Sequence, residues 1–378
     1  MKYEQITWPE LSVKVVISMF ISTESIPEYH AMLHLTDTLL TVSEQYKRIE
    51  TAFELLQEKL QSKLIWKRYF VSDAANHQIF LQQTTSEGAF SVVQQPPLDG
   101  TKVAVWAYFL PEVNLSKEGE GMFLMKHNSY QHLYSTQLHS SILNESSQTT
   151  DIFKQYIEQL ASYRCTLADH CIRTWIYVQG VDIHYKGMVA ARKAYFEKEG
   201  LTPQTHFIAS TGIEGKYTDP EVLVLMDAYA IQGLQAGQIQ YLYAPTHLNP
   251  THEYGVTFER GTVVHYGDRQ HIYISGTASI NNQGEIVYPM DIIKQTRRMF
   301  ENIQALLNEA GANMEDVMHL IVYLRDTADY SIVSTYLTEN YPEIPTVILW
   351  APVCRPGWLI ETECMAVKAV KDNRFAAF

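Results

Sequence analysis

The 378-residue sequence predicts an α+β chain in which one β-β-α-β-α-β-β unit occurs twice in tandem. Three observations predict it. The strand-like segments IRTWIYV (172–178) and HLIVYLR (319–325), rich in β-branched and aromatic residues, occupy the same slot 147 residues apart. VLVLMDAYAI (222–231) and WLIETECMAV (358–367) share another slot 136 residues apart. Between the strands lie stretches with apolar residues at helical spacing. Two copies make a duplication, not a solenoid.

Residues 1–95 carry few signals and are read as an N-terminal extension, with a helical look at Glu44–Leu60 and a short strand at Leu64–Val71. The first copy spans 96–233. Val103–Phe109 reads as a strand, and Met122–Met125 and Tyr130–Tyr134 as further strand material. Ser146–Tyr163 has Ile152, Tyr156, Ile157 and Leu160 at helical spacing. Ile172–Val178 is a strand, Tyr185–Glu199 a helix ended by Gly200, and His206–Ser210 and Val222–Ile231 strands. A linker follows at 234–256, rich in Tyr, Pro, His and Gly. The second copy spans 257–370: strands Thr262–Tyr266 and His271–Ser275, helix Asp291–Ala310 with Gly311 after it, strand His319–Leu324, helix Tyr330–Asn340, and strands Thr346–Trp350 and Trp358–Val367. The copies differ where chemistry would sit. Glu361 and Glu363 stand where the first copy has Leu225 and Asp227, and Arg325 where it has Val178. One copy is therefore a scaffold and the other bears the site.

Composition narrows the function. An apolar share of 46% supports a real core, and a net charge of −13 argues against nucleic acid or an anionic membrane as partner. A small anion would need a local cluster of Arg or Lys. The four cysteines show no CxxC spacing and the fourteen histidines no HExxH, so no metal is expected; Gly-rich phosphate loops are absent and no cofactor is implied. No apolar run reaches the length of a membrane span and the start resembles no signal peptide, so the expectation is a cytoplasmic protein with reduced thiols.

Arg325, Cys354 and Glu361 fall on or beside neighbouring strands, and a cation, a thiol and a carboxylate converging there suit an anionic substrate. Strand alternation puts Glu361 on one face with Leu359 and Glu363. A buried carboxylate must be partnered or functional, and a raised pKa would suit a general acid; solvated carboxylates on an edge strand are the plain alternative. Ser275, Gly276 and Thr277 could cradle a carboxylate or hydroxyl, because Gly lets a ligand approach the chain closely; the alternative is a strand-end turn. A lone Cys is ordinarily a small hydrophobe. Arg173, Arg192 and His170 read as interface or core-edge residues.

These segments resemble a known family. "IIKQTRRMFENIQALLNEAG", the Ser-Gly strand end and "IETECMAV" are similar to the RidA/YjgF fold. Across roughly 150–367, "RTWIYVQGVD", "AARKAYFEKEGL" followed by "IASTGIEG", "YGVTFERG", "SGTASI" and "CRPGWLIETE" resemble the chorismatases, a RidA-related group. The resemblance implies two tandem RidA-like modules and an enzyme that removes pyruvate from chorismate or a related enolpyruvyl ether. Glu361 would be the proton donor, Arg260 and Arg325 the holders of the carboxylates, and Cys354 with Gly276 the residues that favour a hydroxybenzoate product. RidA proteins form trimers with sites between subunits, so it further implies an interface built partly within one chain, with a homo-oligomer open. Three positions depart from the family pattern: Ile176, Asn281 with Asn282, and Pro352. Two rival functions remain. An enamine/imine deaminase is disfavoured because Pro345-Thr346-Val347 lacks the Arg of the deaminases' Pro-x-Arg. A non-catalytic small-molecule binder would follow if the departures abolish the chemistry.

Overall fold

In the computed structural model, which describes residues 1–22, 25–83, 87–142 and 144–378, the chain forms three six-stranded sheets. The first holds β1 (Lys2–Trp8), β2 (Val13–Phe20), β3 (Glu28–Leu35), β4 (Lys63–Val71), β5 (Ala89–Gln94) and β6 (Val103–Leu110), with helices α1 (Val42–Leu60) and α2 (Ala74–Leu81). The second holds β7 (Asn114–Gly119), β8 (Met122–His127), β9 (Tyr130–His139), β10 (Cys171–Val178), β11 (Ala209–Glu214) and β12 (Val224–Gln232), with α3 (Glu145–Ser162), a short α4 (Leu167–His170) and α5 (Val181–Lys198). The third holds β13 (Ile239–Leu242), β14 (Gly261–His265), β15 (Arg269–Ala278), β16 (Val317–Leu324), β17 (Thr346–Trp350) and β18 (Ile360–Ala369), with α6 (Ile292–Glu309) and α7 (Tyr330–Asn340). Each module runs as an antiparallel meander, a helix, a strand, a second helix, a strand parallel to the one before it, and a closing strand that inserts beside the meander. The fold class is α+β with RidA-like modules, as the sequence indicates.

The structure corrects the boundaries. Residues 1–95 are not an extension but most of a further module. The strand at Val103–Phe109, read as opening the next unit, is β6, which closes the first sheet between β3 and β4. Each module also has an edge strand beyond the expected pattern, and β13 lies inside the presumed linker. The modules share one irregularity in particular: the strand after the first long helix bulges against the closing strand at Leu64/Trp66, Cys171/Arg173 and Val317/His319. Counting from that bulge aligns the closing strands. Ala104, Leu225 and Glu361 occupy one slot, and Trp106, Asp227 and Glu363 the next. The same count pairs Tyr177 with Tyr323, so the counterpart of Arg325 is Gln179, one residue beyond Val178.

Alternation assigns the two faces of each sheet. In β6, Val103, Val105, Ala107 and Phe109 pack with residues of α1, while Trp106, Tyr108 and Leu110 join a cluster drawn from all three modules. The three inner faces therefore meet at the middle of the molecule. There the Arg68 guanidinium of the first module lies 3.2 Å from Asp227 of the second and 3.8 Å from Glu363 of the third, and Arg173 pairs with Glu363 at 2.8 Å. All four side chains are fully buried. Arg68 is boxed by the rings of Trp66, Trp106 and Trp175, the last at 4.6 Å. Such charges are tolerated inside a protein only when paired, so this knot fixes how the modules dock.

Candidate active site

The closing strand β18 is buried over most of its length and carries two carboxylates, Glu361 and Glu363, which alternation places on the inner face. Glu363 points to the middle, where it accepts hydrogen bonds from Arg173 and, at 2.8 Å, from Trp175 Nε1, and also from Thr211. Glu361 enters a cleft between the third module and the second. Opposite it, β15 is irregular between Ile274 and Thr277, and this brings Gly276 against the carboxyl. A Cβ at residue 276 would collide with Glu361 Oε1, so the approach requires glycine.

The cavity around Glu361 also receives Tyr185 and Arg192 from α5, Arg260 just before β14, Tyr254 from the connecting segment, and Cys354, Arg355 and Trp358 from the loop before β18. Its free volume is about 30 Å³, room for about two waters. Burial, reinforced by the charge of Glu363 and opposed by Arg173 and Arg260, pushes the Glu361 carboxyl up to about 8. It therefore carries a proton at neutral pH. Burial also lifts the Cys354 thiol, to about 12, with the neighbouring Glu361 adding to the rise; this is no thiolate nucleophile.

Three guanidiniums face this neutral carboxyl. Arg260 donates to the Asn249 carbonyl at 3.0 Å, and Arg355 to the Tyr254 carbonyl at 3.0 Å. Arg192 is 1% exposed, and its Nε and Nη2 have no hydrogen-bond partner. Among the described residues none of the three is ion-paired. Burial lowers the pKa of Arg192, with the nearby Tyr185 and Cys354 partly offsetting it.

Of the residues singled out by sequence, Glu361, Cys354, Arg260 and Gly276 come together here. Arg325 does not. It makes a bidentate pair with Asp182 in the first turn of α5, at 2.8 and 3.0 Å, and lies outside the cavity. Ser275 is fully buried beneath the site, donating to the Glu259 carbonyl at 2.6 Å and accepting from Arg173 and the Ser210 amide. Thr277 donates to the Ser275 carbonyl at 2.9 Å. Both hold the bulge in shape. Arg192, read as a core-edge residue, belongs to the cavity. Its signal was its position: it continues the buried stripe Met188–Arg192–Phe196 of α5, where a cation is out of place. Tyr185, Tyr254 and Arg355 carried no such mark. The departures from the family pattern all lie elsewhere. Ile176 faces the helices of its module, Asn281 holds a turn through Glu285, and the Pro352 carbonyl accepts from Glu214.

The other clefts lack this chemistry, since Ala104 and Leu225 fill the slot of Glu361. Nor does any module carry the deaminase arginine. Counted along the parallel pairs, the position of Val347 is Ser91 in the first module and Thr211 in the second.

Comparison with known proteins agrees with this architecture. The family model described as Endoribonuclease L-PSP matches residues 261–368, the third module. A crystal structure of a chorismatase superposes with a TM-score of 0.64 over 80% of this chain and 93% of its own, at 18% identity, which shows a shared fold. The 3-aminoacrylate deaminase RutC of Acinetobacter baylyi is 33% identical over 72 residues, 19% of this chain and 57% of that protein, so less than two thirds of its length is spanned. A RutC family protein of Pyrococcus abyssi is 38% identical over 100 residues, 26% of this chain but 78% of that protein. Through its third module, the chain belongs to the RutC family, within the RidA-like superfamily.

Proposed function

We propose that the protein is a chorismatase-type enzyme that removes pyruvate from chorismate or a close enolpyruvyl ether. The observation that carries this reading is the charge of the cavity. Three unpaired guanidiniums surround one protonated carboxyl in a chain whose net charge is −13. Their desolvation is costly unless a ligand brings about two negative charges, and bidentate pairing suits carboxylates. Chorismate carries two carboxylates and an enol ether that needs a proton on carbon.

Glu361 delivers that proton to the enol methylene, which becomes the methyl group of pyruvate. The ether carbon becomes an oxocarbenium centre, and the Glu361 carboxylate left behind, beside Arg260, stabilises it. Water adds to that carbon and returns a proton to Glu361. The resulting hemiketal collapses by breaking the bond between that carbon and the ether oxygen, which stays on the ring as a hydroxyl, so pyruvate and a dihydroxy-diene acid are released. Capture by a ring hydroxyl instead leads to a hydroxybenzoate, the branch that the resemblance attaches to Cys354 and Gly276. Arg192, Arg260 and Arg355 hold the carboxylates, taking the part first assigned to Arg325. The four free thiols suit a cytoplasmic setting.

The test is pyruvate release from chorismate by the full chain. Release by wild type and its loss in Glu361→Gln supports the proposal; no release between about pH 6 and 9 refutes it. The deaminase reading is weakened by Ser91, Thr211 and Val347, none of which carries the positive charge that pairs with a substrate carboxylate.

A further inference from the structure

A cavity with room for about two waters cannot admit a dicarboxylate without movement, so one wall must yield. Most of its walls are built into the fold: β18 with Glu361, the bulge of β15 and helix α5 belong to sheets or a long helix whose backbone bonds are internal. The loop before β18, which brings Cys354, Arg355 and Trp358, is tied to α6 by Gln295, which donates to the Gly357 carbonyl at 2.9 Å and accepts from the Leu359 amide at 3.0 Å. The wall left is the segment Pro250–Phe258, which contributes Tyr254, Val256 and Phe258. It contains one four-residue 3₁₀ turn, Thr251–Tyr254, followed by Gly255 at φ +87°. Its backbone–backbone bonds are long: Glu253 N to Pro250 O and Gly255 N to His252 O at 3.2 Å, and Val256 N to Thr251 O at 3.3 Å. Its two ends are held together by the Thr251 hydroxyl donating to the Phe258 carbonyl at 2.6 Å, which leaves the turn between them as the part that can move. Few backbone bonds and the exposure of His252, Glu253 and Gly255 are the marks of low local stability in the turn.

Two further features give this wall a direction of opening. The Tyr254 ring lies between two of the cavity's three cations, 4.9 Å from the Arg355 guanidinium and 5.3 Å from that of Arg260. In the closed state an aromatic face occupies the charges that a carboxylate would claim. Arg260 also borders a separate, roomier cleft of about 290 Å³, bounded by His206, Tyr243, Leu248, Pro250, His252 and Glu259, whose carboxyl burial pushes up toward its neutral form. Arg260 lines both spaces, and the segment 250–258 runs between them.

We propose that the roomier cleft is an outer subsite that receives the ligand's carboxylate on Arg260, and that Tyr254 and its strap swing aside to pass it inward. The carboxylate replaces the Tyr254 ring between Arg260 and Arg355, exchanging two cation–π contacts for charge-assisted hydrogen bonds, which are stronger. This rests on the cavity being the anion site proposed above, but not on any turnover there.

Two measurements on the full chain test it. The first is hydrogen exchange without ligand. Amides of Glu253, Gly255 and Val256 should exchange at least about 100-fold faster than those of Ile360–Val367; exchange as slow as in that strand overturns the gate. The second is stopped-flow binding of malonate, a dicarboxylate with no enol ether, followed by the fluorescence of Trp358, which lines the cavity. A gated site gives an observed rate that levels off with concentration, and Tyr254→Ala should raise the plateau about tenfold or more. A rate that stays linear in malonate and is unmoved by Tyr254→Ala refutes the proposal. Malonate that fails to bind refutes it together with the anion site. Gated malonate binding without pyruvate release from chorismate would leave the gate standing while the proposed reaction falls.

Discussion

Glu361 and Arg192 are both buried, but at neutral pH the first is discharged and the second charged, and each state makes a prediction. The ordinary carboxyl value for Glu361 is 4.5 and its value in the fold about 8. Between those pH values the unfolded chain releases a proton that the folded chain retains. Its contribution to stability is therefore fully present below about 4.5 and is lost as the pH rises through about 8. Glu361→Gln, which cannot ionise, should gain in thermal midpoint over wild type as the pH climbs through that window; a difference that is flat with pH would refute the raised value. In the same variant pyruvate release should fall by about 10²–10⁴-fold, and in wild type it should decline above pH 8 as the acid loses its proton. Arg192 predicts the opposite separation. Truncating a buried cation that has no ion-pair partner and two unsatisfied nitrogens should leave stability unchanged or improved, while removing one charge-assisted contact weakens chorismate binding by about 10- to 100-fold. A calorimetric titration of Arg192→Ala beside its melting curve checks both. A variant that unfolds would show Arg192 to be structural.

At the scale of elements, the β15 irregularity determines whether the site exists. It brings Gly276 under Glu361 and is held by the Gly276 amide donating to Thr211 at 2.9 Å. Gly276→Ala would push its methyl into the Glu361 carboxyl and near the Thr211 methyl. It should cost about 1–3 kcal/mol of stability by overpacking and about 10²-fold in rate by misplacing the acid. Urea melts and pyruvate release from the purified variant measure the two. Most elements of the third module were legible because each had a local cause. Helix α7 and strand β17 have the bounds read from sequence, and α6 differs by one residue at each end. The losses also have causes. Edge strand β7 reads NLSKEG, polar and without alternation, because its faces are largely solvated. Strand β6 was visible as a strand, but pattern alone does not say which neighbour a strand pairs with, so it was assigned to the wrong module. The first module escaped notice because Ala104 and Trp106 stand in the slots of Glu361 and Glu363, which leaves no chemical motif to find. Half of the site was hidden for a related reason. Tyr185 and Arg192 acquire their meaning only when the second module packs against the third.

For the whole molecule, three modules in one chain free each cleft from having to match the others. A ring of identical subunits must repeat every residue three times, whereas here the Glu361 slot can be glutamate in one module, leucine in the second and alanine in the first. The price is that the modules must dock in one arrangement, and the shared central face is mostly apolar and so only weakly directional. The buried charges supply the direction. Arg68, Asp227 and Glu363 come one from each module, so no pairwise packing of modules completes the set. Removing the cation should leave Asp227 without a counter-ion, since Arg173 still serves Glu363. Arg68→Ala is therefore expected to cost about 3–5 kcal/mol, more than its lost packing alone, and adding Asp227→Asn should restore a large part by removing the stranded charge. Urea unfolding followed by the tryptophans at 66, 106 and 175 measures this. Wild type should show one transition, because those rings from two modules enclose the same guanidinium. A cost below about 1 kcal/mol, or no recovery in the double variant, would mean that the apolar face alone sets the docking and that the ionic knot is incidental.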